Sequence, residues 1–326
     1  MKLGVVLPFN AFSARDFIAL AQEAETRGYD TAWAAEASGA DAVTTMALIA
    51  SNTTRLRVAS GVVPIQTRTP IVLAMSATTL GHVAPGRVAL GVGVSSPIII
   101  GQWHGLPFRK PLQHMRETVQ VLRLALSGER VNFEGEFYRI KNFRLSLPAT
   151  PVRIYLGALG PKMLELAGEV ADGVLLNWLA PETVGASIRH LEAGARRARR
   201  GLGDFEIAAF VRTCVTDEPA AARQWLARDI TGYAIVDSYG EFFRTSGYAA
   251  EVDAVNAAWK TGDRAGAVTK VSPRFLDGLG VIGPADICRE RVAQFAKAGL
   301  TMPVIMPFSP DSDPRPALLR TIRGFP

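Results

Sequence analysis

Three stretches place glycine beside hydroxyl or basic residues where a small cofactor could be held. In Tyr155-Leu156-Gly157-Ala158-Leu159-Gly160-Pro161-Lys162 an apolar run enters a tight glycine loop, and Pro161 then stands where a first helical position is expected. Free backbone amides and the dipole at such a helix start suit a phosphate, and Lys162 adds charge. A compact strand-to-helix turn without a ligand fits the same residues. In Ser60-Gly61-Val62-Val63-Pro64, followed by Arg68-Thr69-Pro70, glycine at a strand end lets a flat ring approach the backbone, or marks a bulge. Leu90-Gly91-Val92-Gly93-Val94-Ser95-Ser96 holds two glycines of a dinucleotide fingerprint but lacks the third, and it lies on the fourth strand. It is not a Rossmann signature. It remains a glycine-lined, hydroxyl-bearing strand end able to admit a cofactor ring.

Other chemistries find little support. The four histidines, His82, His104, His114 and His190, show no metal-ligand spacing, so a metal-dependent hydrolase is disfavoured. His104, just beyond the fourth strand in Gln102-Trp103-His104-Gly105, is the one retained as a candidate. There is no Gly-x-Ser-x-Gly elbow and no Walker loop. Cys214 and Cys288 lie far apart, which argues against a disulfide framework and fits a reducing cytoplasm.

Eight apolar runs read as strands: Leu3–Leu7, Thr31–Ala35, Leu56–Val62, Arg87–Val92, Val152–Leu156, Gly173–Asn177, Glu206–Val215 and Val304–Pro307. Most are too continuously apolar for half-exposed hairpins and suit a parallel sheet buried on both faces. Helix signals alternate with them: a Ser13 start and a stop at Gly28, Asp41 as an N-cap, and prolines at 161, 181 and 219. Eight strand-then-helix units predict an α/β fold, a closed (β/α)8 TIM barrel, as a single domain over residues 1–326. Insertions are expected after strands 4 and 7. The first holds a helix over Pro111–Leu126 and a hairpin-like excursion through Val131–Tyr138; the second is helical by pattern.

The net charge is +6, with a pI near 9.5. That suits an anionic small molecule, whereas the densest basic cluster, Arg196-Arg197 with Arg199-Arg200, has helical spacing and no interleaved aromatics. It reads as a solvated helix face, and no nucleic-acid partner is expected. The apolar run at the N-terminus is cut by Pro8, and no stretch reaches the about 18 residues of a membrane span.

The strand ends, taken in order, resemble the luciferase-like monooxygenase superfamily, most closely its deazaflavin branch, which includes methylenetetrahydromethanopterin reductase. The matching stretches are Gly61-Val62 with Arg68-Thr69-Pro70, Leu90–Gly93, Tyr155–Lys162 continuing through Leu166–Asn177, and Val281–Asp286. The resemblance implies an oxidoreductase using coenzyme F-420, with FMN as the alternative. It implies a non-prolyl cis peptide at Gly61–Val62 against the deazaflavin ring, with the phosphate side chain at Gly157, Ala158, Leu159 and Gly160. Gly91, Gly93 and Asn177 complete the expected cofactor-binding set. Relatives often carry Asp-His at the end of the second strand, where this chain has Glu36-Ala37. Glu36, Ser96 and His104 are therefore the catalytic candidates around an unidentified small-molecule substrate. An FMN-dependent monooxygenase served by a separate flavin reductase, and a non-catalytic carrier or sensor, are the alternatives. Relatives commonly form homodimers.

Overall fold

A computed structural model describes all 326 residues. In chain order the strands are β1 Gly4–Val6, β2 Thr31–Ala34, β3 Arg57–Ser60, β4 Val63–Pro64, β5 Val88–Gly93, β6 Val131–Glu134, β7 Arg139–Phe143, β8 Arg153–Gly157, β9 Gly173–Asn177, β10 Glu206–Val215, β11 Gly280–Gly283 and β12 Met302–Pro307. Eight of them, β1, β2, β3, β5, β8, β9, β10 and β12, pair in parallel in that order, and β12 pairs back onto β1 through Gly4–Val304 and Val5–Ile305. The ring is a closed (β/α)8 barrel. All six residues of β5 and all ten of β10 are buried, as strands covered on both faces must be.

Alternation along the strands divides the core in two. Val6, Trp33, Ala59, Ala89, Tyr155, Leu175, Phe210 and Val304 face inward and fill the barrel. The intervening residues, such as Val5, Val58, Leu90, Leu156 and Val211, pack outward against the helices. Trp33 meets the edges of Tyr155 and Phe210, with ring centroids 5.6 and 6.2 Å away.

The helices are α1 Ala14–Thr26, α2 Ala42–Asn52, α3 Pro70–Val83, α4 Pro111–Leu126, α5 Pro161–Val170, α6 Pro181–Arg197, α7 Pro219–Ala234, α8 Asp237–Phe243, α9 Ala249–Lys260, α10 Arg264–Thr269, α11 Pro273–Leu279, α12 Ala285–Lys297 and α13 Arg315–Arg323. Their starts follow the sequence signals. Ser13 accepts from the Asp16 amide, Asp41 from Thr44 and Thr69 from Val72, and prolines open α3 to α7.

The third strand differs from the continuous Leu56–Val62 expected. Pairing with β5 stops at Ala59, breaks at a cis Gly61–Val62 peptide, and resumes as β4 opposite Val92 and Gly93. The additions follow the fourth and seventh barrel strands, β5 and β10. The first comprises a π-helical turn at Ile98–Trp103 and the β6–β7 hairpin, whose turn is held by the buried Glu117 carboxylate accepting from the Glu136 and Phe137 amides at 3.0 and 2.8 Å. The second, α7 to α11, also contains β11, which pairs with the upper half of β10.

Candidate active site

The C-terminal ends of the barrel strands form one rim, and the glycines there have a shared reason. Val62, which follows the cis peptide, is partly buried and packs on the inner barrel cluster. Side chains on Gly91 and Gly93 would overlap the Ser60 carbonyl and Val62, and a Cβ at Gly157 would sit 3.2 Å from Val62. A Cβ at Gly61 would lie 2.6 Å from the tip of Phe210. The strand glycines therefore do not leave an open slot for a ring, as the sequence suggested. They make room for Val62, whose upper face is the platform at the mouth. Ser60 locks this arrangement, its hydroxyl donating to the Gly91 carbonyl at 2.8 Å and accepting from the Gly91 amide at 2.9 Å.

Beside the platform, β8 ends in the predicted loop. Ala158 donates to the Leu175 carbonyl, while the amides of Leu159 and Gly160 donate to no protein acceptor. Gly160 is the N-cap of α5, its own side has nothing within 4 Å, and Lys162 is exposed in the first turn. Unpaired amides at a helix start, with a nearby cation, form an anion site. A further polar atom stands nearby: Gln66 donates to the Val94 carbonyl at 3.1 Å, and its buried Oε1 has no partner.

The three catalytic candidates occupy the same rim but differ in freedom. Glu36 is half-buried and doubly held. Arg68 grips both carboxylate oxygens at 2.7 and 3.1 Å, and the Ala42 amide at the start of α2 donates to Oε2 at 2.8 Å. Arg68 also pairs with Asp41, whose carboxyl is held below its usual range: burial opposes this, but the Thr44 bonds and Arg68 outweigh it. The Ser96 hydroxyl accepts from the Ile99 amide at 3.3 Å and so caps the π-helical turn. His104 ends that turn, exposed, with no side-chain partner. Ser95, just before it, has φ of 57°, as does Trp178 at 58° after β9. Non-glycine residues in that region are uncommon, and both stand at the rim.

Asn177, expected at the cofactor, has its amide committed elsewhere. Its Oδ1 accepts from Arg212 at 2.8 Å and its Nδ2 donates to Tyr239 at 3.2 Å. Arg212 was absent from the sequence candidates, although a lone cation within the apolar run of β10 was a visible signal. It is 3% exposed, stacks 3.3 Å over the Trp178 ring, and donates from Nε to Asp229 at 3.1 Å.

The remaining candidates are structural. His114 stacks on Phe137 at 4.2 Å and contacts the Tyr138 hydroxyl. Cys214 and Cys288 are buried, and burial pushes their thiols up to about 11 and about 12, so neither is a ready nucleophile. No group of three or more His, Cys, Asp or Glu is placed to hold a metal, and no helix is long and apolar enough to cross a membrane.

With this geometry in place, comparison with known proteins is specific. The family described as luciferase-like monooxygenase matches residues 1–302. A protein of Mycobacterium tuberculosis assigned as a coenzyme F-420-dependent oxidoreductase is 34% identical over 328 residues, covering 94% of each chain. The 5,10-methylenetetrahydromethanopterin reductase of Methanolobus tindarius is 29% identical over 297 residues, covering 90% of each. The coenzyme F-420-dependent tetrahydromethanopterin reductase structure from Methanopyrus kandleri superimposes with a TM-score of 0.81 at 22% identity, over 99% of this chain and 98% of that one, which speaks for the shared barrel. The chain belongs to the luciferase-like monooxygenase family and is similar along nearly its whole length to coenzyme F-420-dependent members.

Proposed function

We propose that this protein is a coenzyme F-420-dependent oxidoreductase that moves a hydride between the deazaflavin and a small organic substrate. The observation that carries this reading is the Val62 platform standing next to an α5 start with unpaired Leu159 and Gly160 amides. One feature suits a flat ring and the other a phosphate, and they lie at the same rim with only β5 between their strands, Val62 reaching to within 3.2 Å of where a Gly157 Cβ would stand. The residues present fit such a group: the cradle at Gly160 is open, and Gln66 offers an unpaired oxygen at the rim.

When bound, the deazaflavin supplies the two-electron hydride chemistry. The chain's own part is positioning. Val62 would support the ring, Gly157 to Gly160 with Lys162 would hold the phosphate side chain, and the Arg68–Glu36–Asp41 network fixes the β2 and β3 edges of the mouth. Substrate would enter at the rim near Ser96 and the exposed His104.

Titration with coenzyme F-420 and, separately, with FMN tests this. F-420 is expected to bind well below millimolar, where a Kd of about 1 mM corresponds to roughly −4 kcal/mol. Binding of FMN alone, with oxygen consumed on reduced FMN, replaces the reading by a monooxygenase fed by a separate reductase. Binding of F-420 without turnover on any of a broad substrate panel replaces it by a carrier or sensor.

A further inference from the structure

We infer that Arg212 is a substrate-binding residue and that the substrate presents an anionic oxygen, a carboxylate or a comparable oxyanion, to it. The register places the side chain. Phe210 and Met306 belong to the inner face of the barrel; Arg212 follows Phe210 by two residues and pairs with Met306 across the β10–β12 ladder. Arg212 therefore projects inward at the rim, one layer above the Phe210 ring that meets Gly61. Asn177, opposite Phe210 in the β9–β10 ladder, projects to the same side.

The surroundings explain why an arginine is held there. Trp178 and Tyr233 lie under the guanidinium at 3.3 and 5.4 Å, Asp229 takes Nε, and Asn177 takes one Nη1 hydrogen. Nη2 donates to no protein acceptor and is not one of the buried atoms without a partner, so in an otherwise buried residue this edge keeps contact with solvent. These four neighbours fix the plane of the group and leave one edge free, which is the form of a preorganised oxyanion clamp. An ionised acceptor gains more from that edge than a neutral carbonyl, since its hydrogen bond to the guanidinium is charge-assisted. The net charge of +6 also favours the approach of anions.

This assignment deepens the hydride-transfer reading and rests on it for the occupant being the substrate. Benzoate and its neutral isostere benzamide serve as probes, measured by calorimetry on the full chain with and without coenzyme F-420. The expected result is that benzoate binds at least ten-fold more tightly than benzamide. Arg212→Met removes that preference, and Arg212→Lys keeps part of it. Asn177→Asp, which sets a carboxylate against Nη1, weakens benzoate at least ten-fold. The Asn177 variant answers the question even where Arg212→Met fails to fold. Equal binding of the two probes to the unaltered protein, or an undiminished benzoate preference in folded Arg212→Met or Asn177→Asp, overturns the assignment. Loss of the preference in these variants with F-420 affinity unchanged supports it. A benzoate preference that depends on Arg212 in a protein that binds no F-420 leaves the clamp standing and sinks the cofactor reading instead.

Discussion

At Gly160 the backbone has ordinary extended angles, φ −87° and ψ 163°, with nothing within 4 Å of where a Cβ would stand. The protein's own packing does not ask for glycine there, whereas at Gly93 the Val62 side chain leaves no alternative. The two positions therefore separate ligand from fold. Gly160→Asp is expected to leave the melting temperature unchanged or slightly raised, because Asp is an N-cap at least as good as Gly, by a few tenths of a kcal/mol. The same substitution sets a carboxylate against the phosphate and should weaken coenzyme F-420 at least ten-fold in a fluorescence titration. Unchanged affinity removes the loop from the cofactor site. Gly93→Ala should do the reverse of the first effect, lowering the melting temperature by displacing Val62. Both glycines were conspicuous in the sequence, but only their neighbours show that one serves a gap and the other a side chain.

Helix α3 shows the same division at the scale of an element. Leu73, Ala74, Ala77 and Leu80 are buried against the barrel, yet Val72, Met75 and Val83 on the opposite side are 46, 52 and 47% exposed. A helix apolar all round has a second face to cover. We read that face as the contact of a homodimer, with the two-fold arrangement most such assemblies adopt. Replacing both Val72 and Met75 by Glu is expected to shift the species seen by light scattering from twice the chain mass to the single-chain 35.0 kDa, with F-420 affinity retained. A dimer that survives both substitutions places the contact elsewhere. The sequence showed Arg68-Thr69-Pro70 following the third strand end; it is the capped entry to α3, with Thr69 accepting from Val72 and Arg68 turned back to Glu36.

At the scale of the whole molecule the two ends of the barrel are built differently. The N-terminal end is closed by Glu206, which accepts from Lys2 at 2.9 Å, from Arg57 through two bonds of 2.9 Å, and from the Tyr155 hydroxyl. Burial raises the carboxyl pKa, but the bonds from Arg57, Tyr155 and Lys2 outweigh it and hold the group at about 2. A depressed folded-state pKa means that this stabilisation is complete above the unfolded value, about 4.5, and is lost as pH falls through about 2. Glu206→Gln should cost roughly 1.5–3 kcal/mol in urea unfolding at pH 7, since it replaces the charged acceptor of the Arg57 and Tyr155 bonds by a neutral one while Arg57 keeps Asp30. The gap between the two proteins should narrow on going from pH 5 to pH 2; a gap independent of pH contradicts the role given to the charge. Sequence alone determined the eight buried strands, the alternation with helices and the loop at Gly157–Gly160, because continuous apolar runs, caps and prolines record local conformation and burial directly. Tertiary structure alone decided that Val62 fills the glycine gaps, that Asn177 turns to Arg212, and that Arg57 meets Glu206 across 149 residues of chain. Those are contacts between strands distant in sequence, Arg57 and Glu206 meeting from strands that do not pair, and closure of the barrel, which no local pattern encodes, is what brings them together.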